Sequence, residues 1–249
     1  MSIDHLDEVL AGVVVDDSVR QLRPDHAVLF IASAGLRNGP SDDISRDALR
    51  EASEAAAAAN RLDHPHLVEW RHAHRAFGAN PARYRSSVEA LLRRADKGGV
   101  PPINRLVDIY NAVSIRHALP VGGEDLTAVS GSYRLCRATG TEEFDTVDHG
   151  SPVSEQPEPG EVIWRDDIGV TCRRWSHRQC RRTQLTESST TVVFILECLA
   201  PLTPDDLRHA GAELTRQVAR SSPEAVFRSR LLTGSADDAG IQVRTLSST

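Results

Sequence analysis

TTVVFILECLA, Thr190 to Ala200, reads as a buried β-strand rich in β-branched and apolar residues, with one carboxylate, Glu197, in its midst. Side chains alternate along a strand, so Val193, Ile195, Glu197 and Leu199 share one face. Burying a lone carboxylate among such neighbours is costly. Glu197 is therefore paired, hydrogen-bonded or set in a pocket wall, or it lies at the strand end and reaches solvent or an arginine. An apolar setting makes it a candidate acid/base or a ligand for a substrate amine.

Working outward, Tyr133–Ala138, Glu161–Arg165 and Val170–Trp175 have the same strand-like composition. The stretch between Gly140 and Gly160 (EEFDTVDHGSPVSEQPEPG) is acidic and Pro-rich and reads as a surface loop. The first half is different. After a strand at Ala27–Leu36 and the turn Asn38-Gly39-Pro40, Ser41 or Asp42 can cap a helix running to about Asn60. Further helices follow Pro65 (to Gly78), Pro81 (to Gly98-Gly99) and Pro102 (Ile103 to Ala118), and a last one follows Pro204. Helices segregated from a run of strands predict an α+β fold, a helical N-terminal half packed on a mixed or antiparallel β-sheet core. The expected organisation is an N-terminal strand and helix extension at 1–62 belonging to the same compact unit, a central domain at 63–232, and a polar tail at 233–249 with a strand at Ile241–Leu246.

The 249 residues are 40% hydrophobic and 26% charged, ordinary for a soluble protein. The net charge of −6 argues against a general nucleic-acid binder unless basic residues cluster locally. MSIDHLDEVL lacks a signal-peptide pattern, and no apolar run approaches membrane-spanning length. A cytoplasmic protein with no membrane partner is expected. Cys136, Cys172, Cys180 and Cys198 contain no CxxC pair and read as reduced thiols. His177 and Cys180 lack the further ligands a zinc site needs, so neither metal nor cofactor is expected. No GxxxxGK[ST], GxGxxG or GxSxG pattern occurs.

Two further features could carry chemistry. On the helix after Pro102, Ile103, Leu106, Val107, Tyr110 and Val113 form an apolar face. Asn104, Asp108 and Asn111 form a separate polar stripe. These short polar side chains either hydrogen-bond loops of their own domain or point into a cleft. The segment RRWSHRQCRRT, Arg173 to Thr183, holds five arginines, a histidine and a tryptophan. Arginine forks suit phosphates, and Trp175 or His177 can stack on a base. Alternatively it is a charged hairpin paired with the acidic loop before it. Arg71, Arg75, Arg93 and Arg94 read as solvated helical faces.

With these residues in view, PPINRLVDIYNAVSIRHALPVGGEDL (Pro101–Leu126) resembles the helix and proline turn of the editing, tRNA-binding domain of the bacterial phenylalanyl-tRNA synthetase beta subunit. Val107, Asp108 and Asn111 fall on the Val, Asp and Asn of its V-V-D-x-T-N-Y-V pattern, and Pro120 with Asp125 on its turn. The stretch Gly160–Ala200 resembles the part of that domain ending in a glutamate-bearing strand, with Glu197 on the glutamate that contacts the misattached amino acid. The arginine-tryptophan segment followed by T-x-x-T, Thr183 to Thr186, is more typical of single-domain relatives. The likeness spans about Asp63 to Ser221. It departs at Gly122, where the synthetase turn has a histidine, and at Trp175–Arg178, where the synthetase has a glycine-rich loop.

The resemblance implies trans hydrolysis of mischarged aminoacyl-tRNA, with aminoacyl-tRNA or its 3′ end, not DNA, as partner. The alternative it leaves is a non-catalytic module that binds tRNA or an amino-acid derivative. By the same resemblance Glu197 is the catalytic candidate. Asn104, Asp108, Asn111, Trp175, His177, Arg178 and Thr183 would bind substrate, and Arg173, Arg174, Arg181 and Arg182 would bind RNA. Neither the amino acid nor the oligomeric state follows.

Overall fold

The computed structural model describes residues 3–234 apart from 149. In chain order the elements are α1 (Ile3–Ala11), β1 (Val14–Val15), α2 (Asp17–Leu22), β2 (Ala27–Ala34), α3 (Asp43–Ala58), α4 (Pro65–Ala76), α5 (Ser87–Asp96) and α6 (Arg105–His117). There follow β3 (Val121–Asp125), β4 (Arg134–Arg137), β5 (Phe144–Asp148), β6 (Ser151–Glu155), β7 (Val162–Arg165), β8 (Val170–Arg173), β9 (Arg178–Gln179), β10 (Thr191–Cys198), α7 (Pro204–Ser221) and β11 (Val226–Leu232). The fold is α+β, as the sequence predicts.

Two sheets organise the core. An antiparallel sheet runs β11-β2-β10-β3, and a mixed one runs β1-β4-β7-β8-β9, parallel only between β1 and β4. Alternation along β2 and β10 gives the first sheet two apolar faces. Phe30, Val193 and Ile195 pack toward Tyr133, Trp164 and Trp175 of the second sheet and its loops. Leu29, Ile31, Phe194 and Leu196 pack toward α6 and α7 through Val113, Leu207 and Leu214. With both faces covered, β2 and β10 read as continuous apolar runs. The segment before residue 63 is built into this core, since β2 is an inner strand and Leu6 and Leu10 of α1 pack on it.

Several elements differ from the sequence expectation. The helix expected from Pro81 begins at Ser87, because Ser86 is its N-cap, accepting from Glu89 N, while Asn80 Oδ1 accepts from Ala82 N in a preceding turn. The expected loop at 140–160 contains the hairpin β5–β6, anchored by the buried Phe144. β8 stops at Arg173, because Arg174 and Trp175 adopt left-handed backbone angles (φ 48° and 64°). The short elements α1, α2, β1, β3 and β11 carry no strong pattern. β3, sequence VGGED, is a strand only because β10 supplies its partners. The tail strand expected at Ile241–Leu246 lies outside the described residues.

Candidate functional site

Glu197 is only 4% exposed. Its Oε1 accepts three N–H groups: from Trp175 Nε1 at 2.8 Å, His26 Nε2 at 3.1 Å and Trp164 Nε1 at 3.3 Å. An indole N–H can only donate, so this oxygen is saturated and the carboxylate fixed. Oε2 makes no hydrogen bond among the described residues and is left to a cavity of about 290 Å³, toward the small end for ligand sites. A left-handed tryptophan is strained by roughly 1–3 kcal/mol. Here the strain aims the Trp175 indole at Glu197, with Trp70 packed edge-on at 5.4 Å behind it.

The cavity opens beside β3, the edge strand. Gly122 pairs with Ile195 and Glu124 with Val193, so the face carrying Glu197 also carries Gly122 and Glu124. An added Cβ at Gly122 would meet nothing within 4 Å; at Gly123, on the opposite face, it would strike Leu185 and Tyr110. The second sheet forms the opposite wall through Trp164, Cys172 and Gln179, which are neighbours across β7, β8 and β9. α6 contributes Val107, Tyr110 and Asn111, and α5 contributes Ser87 and Arg94. Glu124 is a second buried carboxylate. Burial pushes it up to about 7, against the pull of the hydroxyls of Tyr133, Thr171 and Thr183. Tyr133 Oη donates to it at 3.0 Å, whereas the Thr171 hydroxyl lies too loosely to form a hydrogen bond. The Cys172 thiol is likewise pushed well up by burial.

The polar stripe of α6 splits. Asn111 lines the cavity. Asn104 and Asp108 do not. Asn104 is the helix N-cap, accepting from Val107 N at 3.1 Å and donating to Leu185 O. Asp108 accepts from Ser45 Oγ at 3.1 Å and Ile103 N at 2.8 Å. Both satisfy loop and helix-end groups, and neither lines the cavity. Trp175, His177 and Arg178 line the cavity, while Thr183 is buried behind it against Cys180 Sγ at 3.2 Å.

The arginine segment turns largely inward. Arg173 is buried and bonded to Glu161 at 3.0 and 2.8 Å and to Glu155 at 2.8 Å. Arg174 lies over the Tyr84 ring at 3.6 Å and near Glu161. Arg182 grips Asp166 with two bonds of 2.8 Å. Arg181 pairs with Asp145 and alone of these four is largely exposed. Three of the four expected RNA-binding arginines are thus committed to internal carboxylates, the charged-hairpin alternative. Among the described residues, the exposed cations lining the cavity are Arg178, whose guanidinium donates to Val147 O at 2.9 Å, and, unexpectedly, Arg94. Glu124 and Gln179 were also missed. Glu124 lies in a short glycine-rich stretch whose strand character comes only from pairing. Among the described residues no three His, Cys, Asp or Glu side chains converge on a metal position.

The family model of the B3/4 domain matches residues 69–219. The chain belongs to the B3/4 domain family. The match contains every residue lining the cavity; His26, which helps hold Glu197, comes from outside it. The B3/4 chain is also similar to the crystal structure of an N-terminal fragment of the phenylalanyl-tRNA synthetase beta-subunit from Pyrococcus horikoshii, at 9% identity and a TM-score of 0.46. The likeness covers 88% of this chain and 49% of that one, so this chain spans about half the fragment's length. No curated protein sequence matches it significantly. Among the described residues no helix is long and apolar enough to cross a membrane.

Proposed function

We propose that the cavity holds the acyl group of an aminoacyl ester and that the chain deacylates mischarged aminoacyl-tRNA in trans. The observation that carries this is Glu197, its Oε1 saturated by three donors and its Oε2 left to the cavity. A fixed carboxylate so placed takes the substrate's α-ammonium. An aminoacyl ester is already activated, so the site need only hold it and position water. Water is the fitting nucleophile: the Cys172 thiol in the wall is held protonated by burial. Asn111 then contacts the acyl group. Arg94 and Arg178 at the mouth meet the phosphates of the RNA end, where His177 can stack on the terminal base.

The test is deacylation of a panel of mischarged tRNAs by wild type and Glu197→Gln. The amide keeps an acceptor for the indoles but loses the charge. Its kcat/KM is expected to fall by about 100-fold or more. Unchanged turnover in the variant would overturn the role of Glu197, and no turnover on any ester would overturn the hydrolase.

One observation favours a second reading, a non-catalytic module for a small amino-acid derivative. The internal pairing of Arg173, Arg174 and Arg182 leaves few cations for an RNA backbone. Binding of aminoacyl-tRNA without turnover, and with a shallow salt dependence, would select it.

A further inference from the structure

Glu124 makes the cavity two-ended. Glu197 N donates to Pro120 O, so Glu197 stands opposite Pro120 while Glu124 stands opposite Val193. The two positions lie four residue steps apart on one face, from Pro120 to Glu124, roughly 13 Å of backbone at the usual strand rise. The position between them is Gly122, whose missing side chain leaves that floor open. The channel is bordered by Val107, Ile195 and Trp164, which suit methylenes.

The two carboxylates share a deficit. Among the described residues Glu197 has only an imidazole as a charge partner. Glu124 forms no ion pair with any described residue: Tyr133 donates a neutral hydroxyl, and the nearby Arg182 is spent on Asp166. A buried carboxylate with no cation is retained at a cost.

We propose that Glu124 determines specificity, and that the acyl group it selects is an amino acid with a long, cation-terminated side chain, stretched past Gly122 between the two carboxylates. This rests on the reading of Glu197 as the α-ammonium anchor. An amino acid of the lysine or arginine type, esterified through its carboxyl, carries a cation at each end and methylenes between, matching the acid–apolar–acid order of the floor. The high proton affinity of Glu124 is consistent, because an arriving ammonium would supply the charge that burial removes.

The experiment is calorimetric titration of the full chain at pH 7 with L-lysinamide, L-norleucinamide, L-tyrosinamide and L-alaninamide. Each has an α-amine that is mostly protonated at this pH and a carbonyl in place of the ester. In wild type, lysinamide is expected to bind about 10- to 100-fold tighter than norleucinamide, the worth of a charge-assisted contact. Glu124→Gln, which keeps an acceptor for Tyr133, is expected to abolish that preference. Gly122→Leu leaves both carboxylates in place and is expected to weaken lysinamide at least about 10-fold while sparing alaninamide. Norleucinamide or tyrosinamide binding as tightly as lysinamide, or a lysinamide preference that survives Glu124→Gln, overturns the assignment. If alaninamide binds in a Glu197-dependent way but side chains are not distinguished, only the role of Glu124 falls. If no amide binds wild type, the anchor reading falls with it.

Discussion

The Arg173–Arg182 segment and the cavity floor both hold buried charge, and they treat it oppositely. In the segment every buried charge is matched. Glu161 meets Arg173 and Arg174, and Asp166 takes both arms of Arg182 plus the amides of Ser130, Ile168 and Gly169. Burial alone would raise Glu161; the bonds and charge of Arg173 hold it below the usual range. On the floor, Glu197 has neutral indoles and an imidazole, and Glu124 has a phenol. Matched charge belongs to the scaffold. Charge buried without a counter-ion is what a site keeps for a ligand.

The comparison can be broken most forcefully at Arg173. Arg173→Ala leaves Glu161 buried without its main partner and is expected to cost about 3–5 kcal/mol in urea unfolding. A loss under about 1 kcal/mol would mean that the pair is not part of the scaffold.

Glu124→Gln sharpens the contrast with the opposite sign. Burial holds the folded Glu124 at about 7, above the usual 4.5 of a glutamate. The folded state therefore binds the extra proton between these values, and the group's penalty is full above pH 7 and relieved as pH falls toward 4.5. Glu124→Gln is expected to stabilise the chain by up to about 3 kcal/mol at pH 8 and hardly at all at pH 4.5. His66 runs the other way. Burial lowers it to about 4, so its contribution is lost as pH falls from 6.5 to 4. Comparing wild type with variant at each pH cancels that background and isolates Glu124. A variant less stable than wild type at pH 8 would mean that Glu124 is a structural acceptor, not a charge held in reserve.

The smallest effect belongs to the exposed pair. Arg181→Ala breaks only the contact with Asp145 and is expected to cost less than about 1 kcal/mol. If Arg181 also touches RNA, the variant lowers the salt slope of tRNA binding by about one unit.

Some of the site was legible in the sequence. Glu197 stands out because a carboxylate breaks a continuous apolar strand, and a single strand's alternation suffices to see it. Trp175 and Arg178 lie near it in sequence, and the cavity includes both. The α6 stripe was visible, but periodicity could not divide it. Asn104 caps its own helix through Val107 N and Asp108 holds Ile103 N, while their further partners, Leu185 and Ser45, are remote in sequence. The arginines were equally visible, but their carboxylate partners at 145, 155, 161 and 166 become partners only when the strands pair.

Local patterning determined the α+β class, the principal helices and inner strands, and the anomaly at Glu197, because hydrophobic periodicity and turn residues act over a few neighbours. Only the tertiary structure decided that VGGED is a strand, that Glu124 shares a face with Glu197, and that Gly122 leaves the floor between them open. Those facts depend on the register of β3 against β10, and register is settled between segments about seventy residues apart.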